Sequence, residues 1–328
     1  MNSAAMVQMR LPATSANLGS AFDVAAVALD IHLEVTAQPA EQFSIHAIGR
    51  DAAACSRPES NLILATYRRA LNEAGIPAAP VALRVHNQIP LGMGCGSSAA
   101  ARLAGLILAQ SLGGLSLSSQ QLLAHAAALE GHPDNVAACW HGGLAVSAVG
   151  RAGEQAAGLL PIATARVPVP REWCAALLLP RHPVLTEASR VVLPQSYERA
   201  HVVDGLQRCG LMVAAFASGD GQLLRDAMDD RLHQPYRRGL CPLLDHADAL
   251  SRVPGVLGVA LSGAGPALLL VLDNPARRAR LEAHVPQILD AAAIEMMFCD
   301  FDRRGTQVHG GGPAKETAPS EQSAVLDR

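Results

Sequence analysis

Three glycines and two serines are concentrated between Pro90 and Ala100, in PLGMGCGSSAA, and a run of good helix formers follows directly. Glycine adopts backbone conformations that other residues avoid, and it lets a ligand approach the main chain. The first turn of the following helix has unpaired N–H groups and a partial positive charge, so the segment suits an anion. The hydroxyls of Ser97 and Ser98 add donors at the same point. This order of loop, hydroxyls and helix predicts a phosphate-binding site.

The spacing within this loop argues against the two most familiar nucleotide motifs. A P-loop needs a lysine after its last glycine, and the only lysine of the sequence, Lys315, lies in a polar C-terminal segment. A dinucleotide fingerprint needs Gly-x-Gly-x-x-Gly with an acidic residue about twenty positions later. Gly92, Gly94 and Gly96 give Gly-x-Gly-x-Gly instead, and no acid follows at that distance. A nicotinamide cofactor is therefore not expected.

Composition limits the remaining possibilities. The 328 residues suggest two domains, and a hydrophobic share of 50% with only 3% aromatic residues indicates a tightly packed α/β or α+β protein. The net charge is −3 and basic residues form no run, so neither nucleic acid nor an acidic membrane is an expected partner. Seven cysteines without a Cys-x-x-Cys pair argue against disulfides and thiolate zinc, and no apolar run is long enough to cross a bilayer. We therefore expect a soluble, cytoplasmic protein.

The periodicity of apolar residues indicates the elements that would position the loop. Alternation predicts half-buried strands at residues 31–37, 43–49 and 81–90, the last directly before the glycines. Helices are predicted at 61–75, where Gly75 and Pro77 end the pattern, and at 119–131. The glycine loop is thus expected between a strand and a helix.

The second half of the chain is also predicted to contain both helices and strands. A helix-rich stretch covers residues 195–230, two apolar strands flank Gly263, Gly265 and Pro266, and a last strand is predicted at 294–302. A shift of composition places a domain boundary near residue 165, which gives domains at 1–165 and 166–305. The polar segment 306–328 is rich in Gly, Pro and Ser, and it is predicted to be disordered.

Four stretches in this order resemble the GHMP small-molecule kinases. They are PATSANLGSAFD at 12–23, PLGMGCGSSAAA at 90–101, EGHPDNVAACWHGG at 130–143 and LSGAGPALLLVL at 261–272. The opening PATSAN, followed by Leu18, Gly19, Phe22 and Asp23, is most similar to the members that phosphorylate L-homoserine. The resemblance covers roughly residues 10–309. It implies an α+β fold of two domains, the N-terminal one like domain 2 of ribosomal protein S5 and the C-terminal one ferredoxin-like.

The resemblance also implies the reaction and the nucleotide contacts. The γ-phosphate of ATP would pass to the hydroxyl of L-homoserine, giving O-phospho-L-homoserine on the way to threonine, and Asn61 would contact the adenine. The nucleotide phosphates would lie on the loop formed by Pro90, Leu91, Gly92, Met93, Gly94, Cys95, Gly96, Ser97, Ser98, Ala99 and Ala100. The thiol of Cys95 would make nucleotide binding sensitive to thiol reagents.

Amino-acid recognition is expected from residues of both halves. Arg190 and Arg237 match the family's carboxylate clamp, since a guanidinium fork binds two oxygens at once, and Thr186 would add a hydroxyl contact. Asn17 is expected to meet the ammonium side of the substrate. Asp23 is expected to hold the reacting hydroxyl.

Phosphoryl transfer depends on alignment and on neutralising the phosphates, which calls for Mg²⁺ and oxygen ligands. Ser98 and Glu130 are the expected Mg²⁺ ligands. Asp134 and Asn135 are the remaining catalytic candidates, but the folded part has no lysine to complete the Asp–Lys pair of several family members. Two roles are possible: Asp134 as the general base, or Asn135 as the group that orients the acceptor hydroxyl. The nearby His132 is expected to be structural.

Two other interpretations remain beside a homoserine-phosphorylating enzyme. One is another GHMP kinase, acting on a mevalonate-type or sugar alcohol, and Arg190 and Arg237 argue against it because they suit an amino-acid carboxylate. The other is a non-catalytic relative that senses nucleotide and metabolite. The presence of Asp23, Glu130 and the loop serines favours catalysis. The family expectation for assembly is a homodimer.

Overall fold

The computed structural model describes residues 6–151, 158–181, 186–289 and 294–310, without the side chains of 186–188. It contains two β-sheets, one of seven strands and one of four, and we call each sheet with its helices a domain. In chain order the first part comprises β1 (Val7–Asn17), β2 (Ala21–Pro39), β3 (Ser44–Gly49), α1 (Ala52–Cys55), α2 (Leu62–Glu73), β4 (Val81–Asn87), α3 (Ser97–Ser111), α4 (Ser119–Glu130), α5 (Asp134–His141), β5 (Leu144–Val149) and β6 (Ile162–Val167).

The second part continues from there. Its elements are β7 (Cys174–Pro180), α6 (Thr186–Val191), α7 (Arg199–Ser218), α8 (Leu224–Ala227), α9 (Gln234–Arg237), α10 (Ala247–Ser251), β8 (Val256–Leu261), β9 (Leu268–Leu272), α11 (Arg278–Ile288), β10 (Ile294–Asp300) and β11 (Gln307–Gly310). Short 3₁₀ helices cover Gly221–Leu223, Pro242–His246 and Pro275–Arg277. Among the described residues, no helix combines the length and apolar character that a membrane crossing requires.

The larger sheet has the strand order β11-β1-β2-β4-β3, and β5 joins β2 to β6. Only the β3–β4 pair is parallel; the other pairs are antiparallel. Helices α3 and α5 pack on this sheet, and α2 and α4 pack against α3. Alanines of α5, β1, β2 and β5 form a cluster of small buried side chains, which lets α5 approach the sheet closely.

The smaller sheet has the antiparallel order β10-β7-β9-β8. Its elements follow the chain as strand, helices, two strands, helix and strand. This is the β-α-β-β-α-β arrangement of ferredoxin-like domains, so the expected fold of the second half is confirmed. All five residues of its strand β9, Leu268–Leu272, are fully buried.

Two boundaries predicted from the sequence can be compared with the sheets. Residue 165 lies within β6, the last strand of the larger sheet before the chain enters the smaller one. The prediction of disorder from Thr306 is wrong for its first residues, because Gln307–Gly310 pair with Val7–Arg10 at the edge of the larger sheet. Backbone hydrogen bonds in a β-ladder need no apolar side chains, so composition could not reveal this strand. The rest of that segment lies outside the described residues.

Candidate functional site

The glycine loop lies between β4 and α3, as the sequence predicts. Gly92, Gly94 and Gly96 all have positive φ, and Gly96 is the N-cap residue of α3, so Ser97 and Ser98 form the first turn. A Cβ on Gly94 would lie 2.0 Å from the carbonyl oxygen of Ser262, and one on Gly96 would lie 1.9 Å from Thr14 Oγ1. Glycine is therefore required here for conformation and for space.

A loop of the second domain, between β8 and β9, packs on the glycine loop and on β1. Ser262 Oγ lies 2.9 Å from the carbonyl oxygen of Gly94. The N–H of Gly263 donates to the Ala16 carbonyl at 3.1 Å, and Asn17 Nδ2 donates to the Gly263 carbonyl at 2.9 Å. The two domains thus meet at the predicted phosphate loop.

A cavity of about 50 Å³ lies at this junction, and ten of the residues singled out from the sequence line it. They are Asn17, Asp23, Gly94, Gly96, Ser98, Glu130, Asp134, Asn135, Arg190 and Arg237. Ala16, His132, Gly263 and Ala264 complete the lining. A larger groove of about 700 Å³, lined by charged residues such as Arg225 and Asp248, lies elsewhere and contains none of the predicted residues.

Asp23 and Arg190 form a bidentate ion pair on the wall of the cavity. Arg190 Nη2 donates to Asp23 Oδ1 at 2.7 Å and Nη1 donates to Oδ2 at 3.0 Å, although the residues are 167 positions apart. Burial alone would lower the pKa of Arg190, but the hydrogen bonds and charge of Asp23 outweigh it and raise the pKa. Asp23 has a φ of 56°, and Asn17 Oδ1 accepts its backbone N–H at 3.0 Å. Asp23, the third residue of β2, therefore presents its carboxylate to the second domain.

Arg237 lies behind this pair and is only 1% exposed. Its Nε donates to the carbonyl of Ser189 at 3.0 Å, and its Nη1 lies 3.2 Å from the carbonyl of Gly263 and 3.0 Å from Nδ1 of His233. Burial lowers the pKa of this guanidinium. Within the described chain its Nη2 has no hydrogen-bond partner, so this nitrogen is the one that a ligand in the cavity can use.

His233 fixes the orientation of Arg237. Its Nε2 donates to the Gly19 carbonyl at 2.8 Å, which leaves Nδ1 as an acceptor for the Arg237 fork. Burial lowers the pKa of His233, in keeping with a neutral imidazole. The ring of Phe22 stacks on this imidazole at 5.2 Å and faces the Arg237 guanidinium at 5.3 Å.

The HPDN turn places His132, Asp134 and Asn135 on the cavity wall, where ligand atoms of Asp23, His132 and Asp134 lie within 4.8 Å of one another. Asp134 Oδ1 lies 2.5 Å from His132 Nδ1 and accepts the backbone N–H of Asn135 at 2.6 Å. Burial alone would lower the pKa of His132, but the hydrogen bond and charge of Asp134 raise it overall. Asp134 is itself only 1% exposed. One oxygen of its carboxylate is thus committed to neighbours within the turn.

Ser98 and Glu130 meet at the start of α3 and the end of α4. Ser98 Oγ donates to Glu130 Oε2 at 2.9 Å. Arg102 Nε forms an ion pair with Glu130 Oε1 at 2.5 Å. The N–H of Arg102 is not aligned with this oxygen as a hydrogen bond requires, and in the described chain neither buried atom has another hydrogen-bond partner. A hard divalent cation prefers such oxygen donors. The Glu130 carboxylate and the adjacent Ser98 hydroxyl are oxygen donors of the kind that fit Mg²⁺.

Nine predicted residues with described side chains do not line this cavity: Asn61, Pro90, Leu91, Gly92, Met93, Cys95, Ser97, Ala99 and Ala100. Asn61 is the N-cap of α2: its Oδ1 accepts from Ile63 and its Nδ2 donates to the Cys55 carbonyl, and a contact to adenine stays a prediction. Thr186 is the first residue of α6, and its side chain lies outside what is described. Cys95 is 1% exposed, and burial raises the pKa of its thiol to about 12. The expected reactivity toward thiol reagents is therefore not favoured, since the thiolate is the reactive form.

Sequence reasoning assigned no role to several residues that build the site. Thr14 and Gly263 lie in stretches that carried the family resemblance, so those motifs were the available signal. His132 was interpreted as structural but lines the cavity. No sequence pattern pointed to His233. Its role depends on a contact with Gly19, 214 positions away, and on the direction of the Arg237 side chain, and neither can be read from the sequence.

Comparisons with known proteins agree with this geometry. Residues 61–143 match the family model "GHMP kinases N terminal domain", and residues 212–291 match "GHMP kinases C terminal". A homoserine kinase of Solibacter usitatus is 38% identical over 302 residues, covering 92% of this chain and 96% of that protein. One of Deinococcus radiodurans is 34% identical over 306 residues, with the same coverage. The crystal structure of homoserine kinase from Cytophaga hutchinsonii superposes with a TM-score of 0.76 at 26% identity, covering 94% of this chain and 99% of that one.

Proposed function

Because the chain belongs to the homoserine kinases, a branch of the GHMP kinase family of ATP-dependent small-molecule kinases, we propose that its cavity transfers the γ-phosphate of ATP to L-homoserine. The observation that carries the proposal is the Asp23–Arg190 pair, next to Arg237 and facing the glycine loop. Each of these groups matches one part of the two substrates. The product is O-phospho-L-homoserine.

The substrate amino acid inserts into the Asp23–Arg190 pair. Asp23 and Arg190 satisfy each other in the structure, so a substrate that uses both charges must part the pair. An α-amino acid carries both charges needed to replace the lost contacts: its ammonium meets Asp23, and its carboxylate meets Arg190 and Nη2 of Arg237. Mevalonate offers only the carboxylate and a sugar offers neither, which favours the amino acid.

This assignment differs from the expectation that Asn17 takes the ammonium and Asp23 the hydroxyl. Both polar atoms of Asn17 already have partners, the Gly263 carbonyl and the Asp23 backbone N–H. The carboxylate of Asp23 also suits a cation better than an amide oxygen does. Asn17 then acts mainly by holding Asp23 and Gly263 in place.

The phosphates lie on the glycine loop, where the N-terminus of α3 and the hydroxyl of Ser97 supply donors, while the hydroxyl of Ser98 donates to Glu130. Ser98 and Glu130 would hold Mg²⁺, which neutralises charge on the phosphates and stabilises the transferred group. The ion would share the Glu130 carboxylate with Arg102, which is ion-paired to Oε1.

Catalysis relies on alignment rather than on a strong base. Asp134 Oδ1 is occupied by His132 and by the backbone of Asn135, and the described part of the chain contains no lysine to activate it. Asn135 lines the cavity next to Asp134, where its amide can orient the acceptor hydroxyl toward the phosphate. His132, held by Asp134, completes this wall.

The proposal extends to the cellular compartment and the oligomeric state of the enzyme. All seven cysteines are free thiols, which supports a reducing compartment such as the cytoplasm. Assembly as a homodimer stays a prediction.

The proposal is tested by ADP release from Mg·ATP with a matched set of acceptors. L-homoserine is compared with 4-hydroxybutyrate, which lacks the ammonium, with 3-aminopropan-1-ol, which lacks the carboxylate, and with mevalonate and L-threonine. Turnover is expected with L-homoserine, and the two truncated analogues should each lose at least tenfold in kcat/KM, about the effect of one charge-assisted hydrogen bond.

Two results would overturn the proposal. Efficient turnover of mevalonate and not of homoserine would assign the chain to another GHMP activity. Tight ATP binding without phosphorylation of any acceptor would identify a sensor instead of an enzyme.

A further inference from the structure

Thr14 lies beneath the site without touching the cavity. It is in β1, is fully buried, and is absent from the cavity lining. Its Oγ1 is 2.6 Å from Oδ1 of Asn135, which is 121 positions away. Thr14 therefore influences the cavity only through the groups that it holds.

The hydroxyl of Thr14 must be the donor in this contact. Asn135 Nδ2 faces Asp134 Oδ1 at 3.4 Å, an arrangement that suits an amide NH₂ and that an amide oxygen would make repulsive. The oxygen of the Asn135 amide consequently faces Thr14. The bond sets the direction of the Asn135 amide and leaves the second N–H of Nδ2 for the cavity.

The backbone of the same residue holds the glycine loop. The N–H of Thr14 donates to the carbonyl of Cys95 at 3.1 Å. A Cβ on the neighbouring Gly96 would lie 1.9 Å from Thr14 Oγ1 and 3.2 Å from Asn135 Oδ1. Loop, threonine and asparagine are thus packed together with no spare space.

We propose that Thr14 is a positioning residue, which sets the Asn135 amide at a fixed distance from the phosphate loop through one hydroxyl. The inference rests on the proposed function, in which the loop carries the donor phosphate and Asn135 orients the acceptor. Misalignment of reacting groups by as little as 1 Å can cost about a hundredfold in rate. Loss of the hydroxyl should therefore lower kcat more than it weakens binding.

The test uses Thr14→Val, which keeps the shape, and Thr14→Ser, which keeps the hydroxyl. Thr306→Val is the matched control, because Thr306 Oγ1 donates at 2.9 Å to the Cys139 carbonyl near the other end of the same helix α5. For Thr14→Val we expect kcat with homoserine to fall about tenfold to a hundredfold while both KM values change less than about threefold. Thr14→Ser should recover most of kcat, and Thr306→Val should leave it near the original value.

A double-mutant cycle separates positioning from a general structural effect. In an Asn135→Ala background, Thr14→Val should cause little further loss of kcat, since the group that it positions is gone. Additive losses would refute the inference, as would equal kcat values for Thr14→Val and Thr306→Val. Both results presuppose that the unaltered enzyme phosphorylates homoserine; if it does not, the proposed function itself has failed.

Discussion

Replacing Gly94 by alanine should separate the phosphate loop from the second domain. Gly94 has a φ of 75°, and the new Cβ would stand 2.0 Å from the carbonyl oxygen of Ser262 and 3.0 Å from the backbone nitrogen of Gly265. These two backbone groups are hydrogen-bonded to each other at 2.8 Å, so the carbonyl cannot easily rotate away. The contact needs more than 1 Å of displacement to reach an ordinary separation, and that displacement falls on the junction between the domains.

The size of the effect follows from the contacts that would break. The left-handed conformation costs an L-residue about 1–2 kcal/mol. Moving the loops apart removes up to three hydrogen bonds, Ser262–Gly94, Gly263–Ala16 and Asn17–Gly263, each contributing about 0.5–1.5 kcal/mol. The sum is a loss of roughly 3–6 kcal/mol in the free energy of unfolding.

Gly114→Ala isolates the conformational part of this cost. Gly114 has a φ of 78°, and nothing lies within 4 Å of a Cβ built on it. Urea unfolding of the two variants, with ATP affinity measured by calorimetry, should show a loss of about 1–2 kcal/mol and normal ATP binding for Gly114→Ala. Gly94→Ala should lose clearly more stability and bind ATP weakly. Equal losses of stability in the two variants would refute the argument from steric overlap.

Three further predictions concern the cation site, the carboxylate clamp and pH. Ser98→Ala should raise the Mg²⁺ concentration needed for half-maximal activity about tenfold, as one of two oxygen ligands is lost; a normal Mg²⁺ titration at fixed ATP would contradict the assignment. Arg237→Leu should raise the KM for homoserine about tenfold to a hundredfold through loss of a charge-assisted hydrogen bond, with little change in the KM for ATP. Arg208→Leu, which lies outside the cavity, should change neither KM value. Equal changes in the two KM values for Arg237→Leu would refute the clamp. Because burial lowers the pKa of His233 in the fold, the unfolded chain binds more protons below pH 6.5, so stability should fall as the pH drops through that region. His233→Gln should make this slope of the unfolding free energy against pH shallower, and an unchanged slope would show that His233 does not contribute to it.

The elements around the phosphate loop could be predicted because their signals are local. The segment 81–90 alternates in character, and the structure places β4 at Val81–Asn87. The predicted helix at 61–75 corresponds to α2, whose N-cap is Asn61. By contrast, β2 was predicted only at 31–37, whereas it covers Ala21–Pro39. Residues 25–29 of that strand are all apolar and fully buried, so they show no alternation and give no strand period.

The residues of the cavity could be predicted by type, but their partners could not. Guanidinium and carboxylate groups suit an amino-acid substrate, and Arg190 and Asp23 were both expected to bind it. That they bind each other depends on the start of β2 meeting α6, which no local pattern encodes. Asn61 was expected to bind nucleotide, but its side-chain amide makes hydrogen bonds to the backbone of Cys55 and Ile63, which the sequence did not reveal.

The same few contacts join the domains and organise the site. The first domain supplies the phosphate loop, Asp23 and Asn135, and the second supplies Arg190 and Arg237. Hydrogen bonds such as that from Asn17 to Gly263 close the junction directly at the cavity wall. A substrate that takes the places of Asp23 and Arg190 in their ion pair must therefore replace an interdomain contact while it binds. In the proposed binding mode, a ligand with a cation and an anion at the spacing of an α-amino acid parts this pair and leaves both charges satisfied, so the ion pair would favour an amino acid over mevalonate or a sugar.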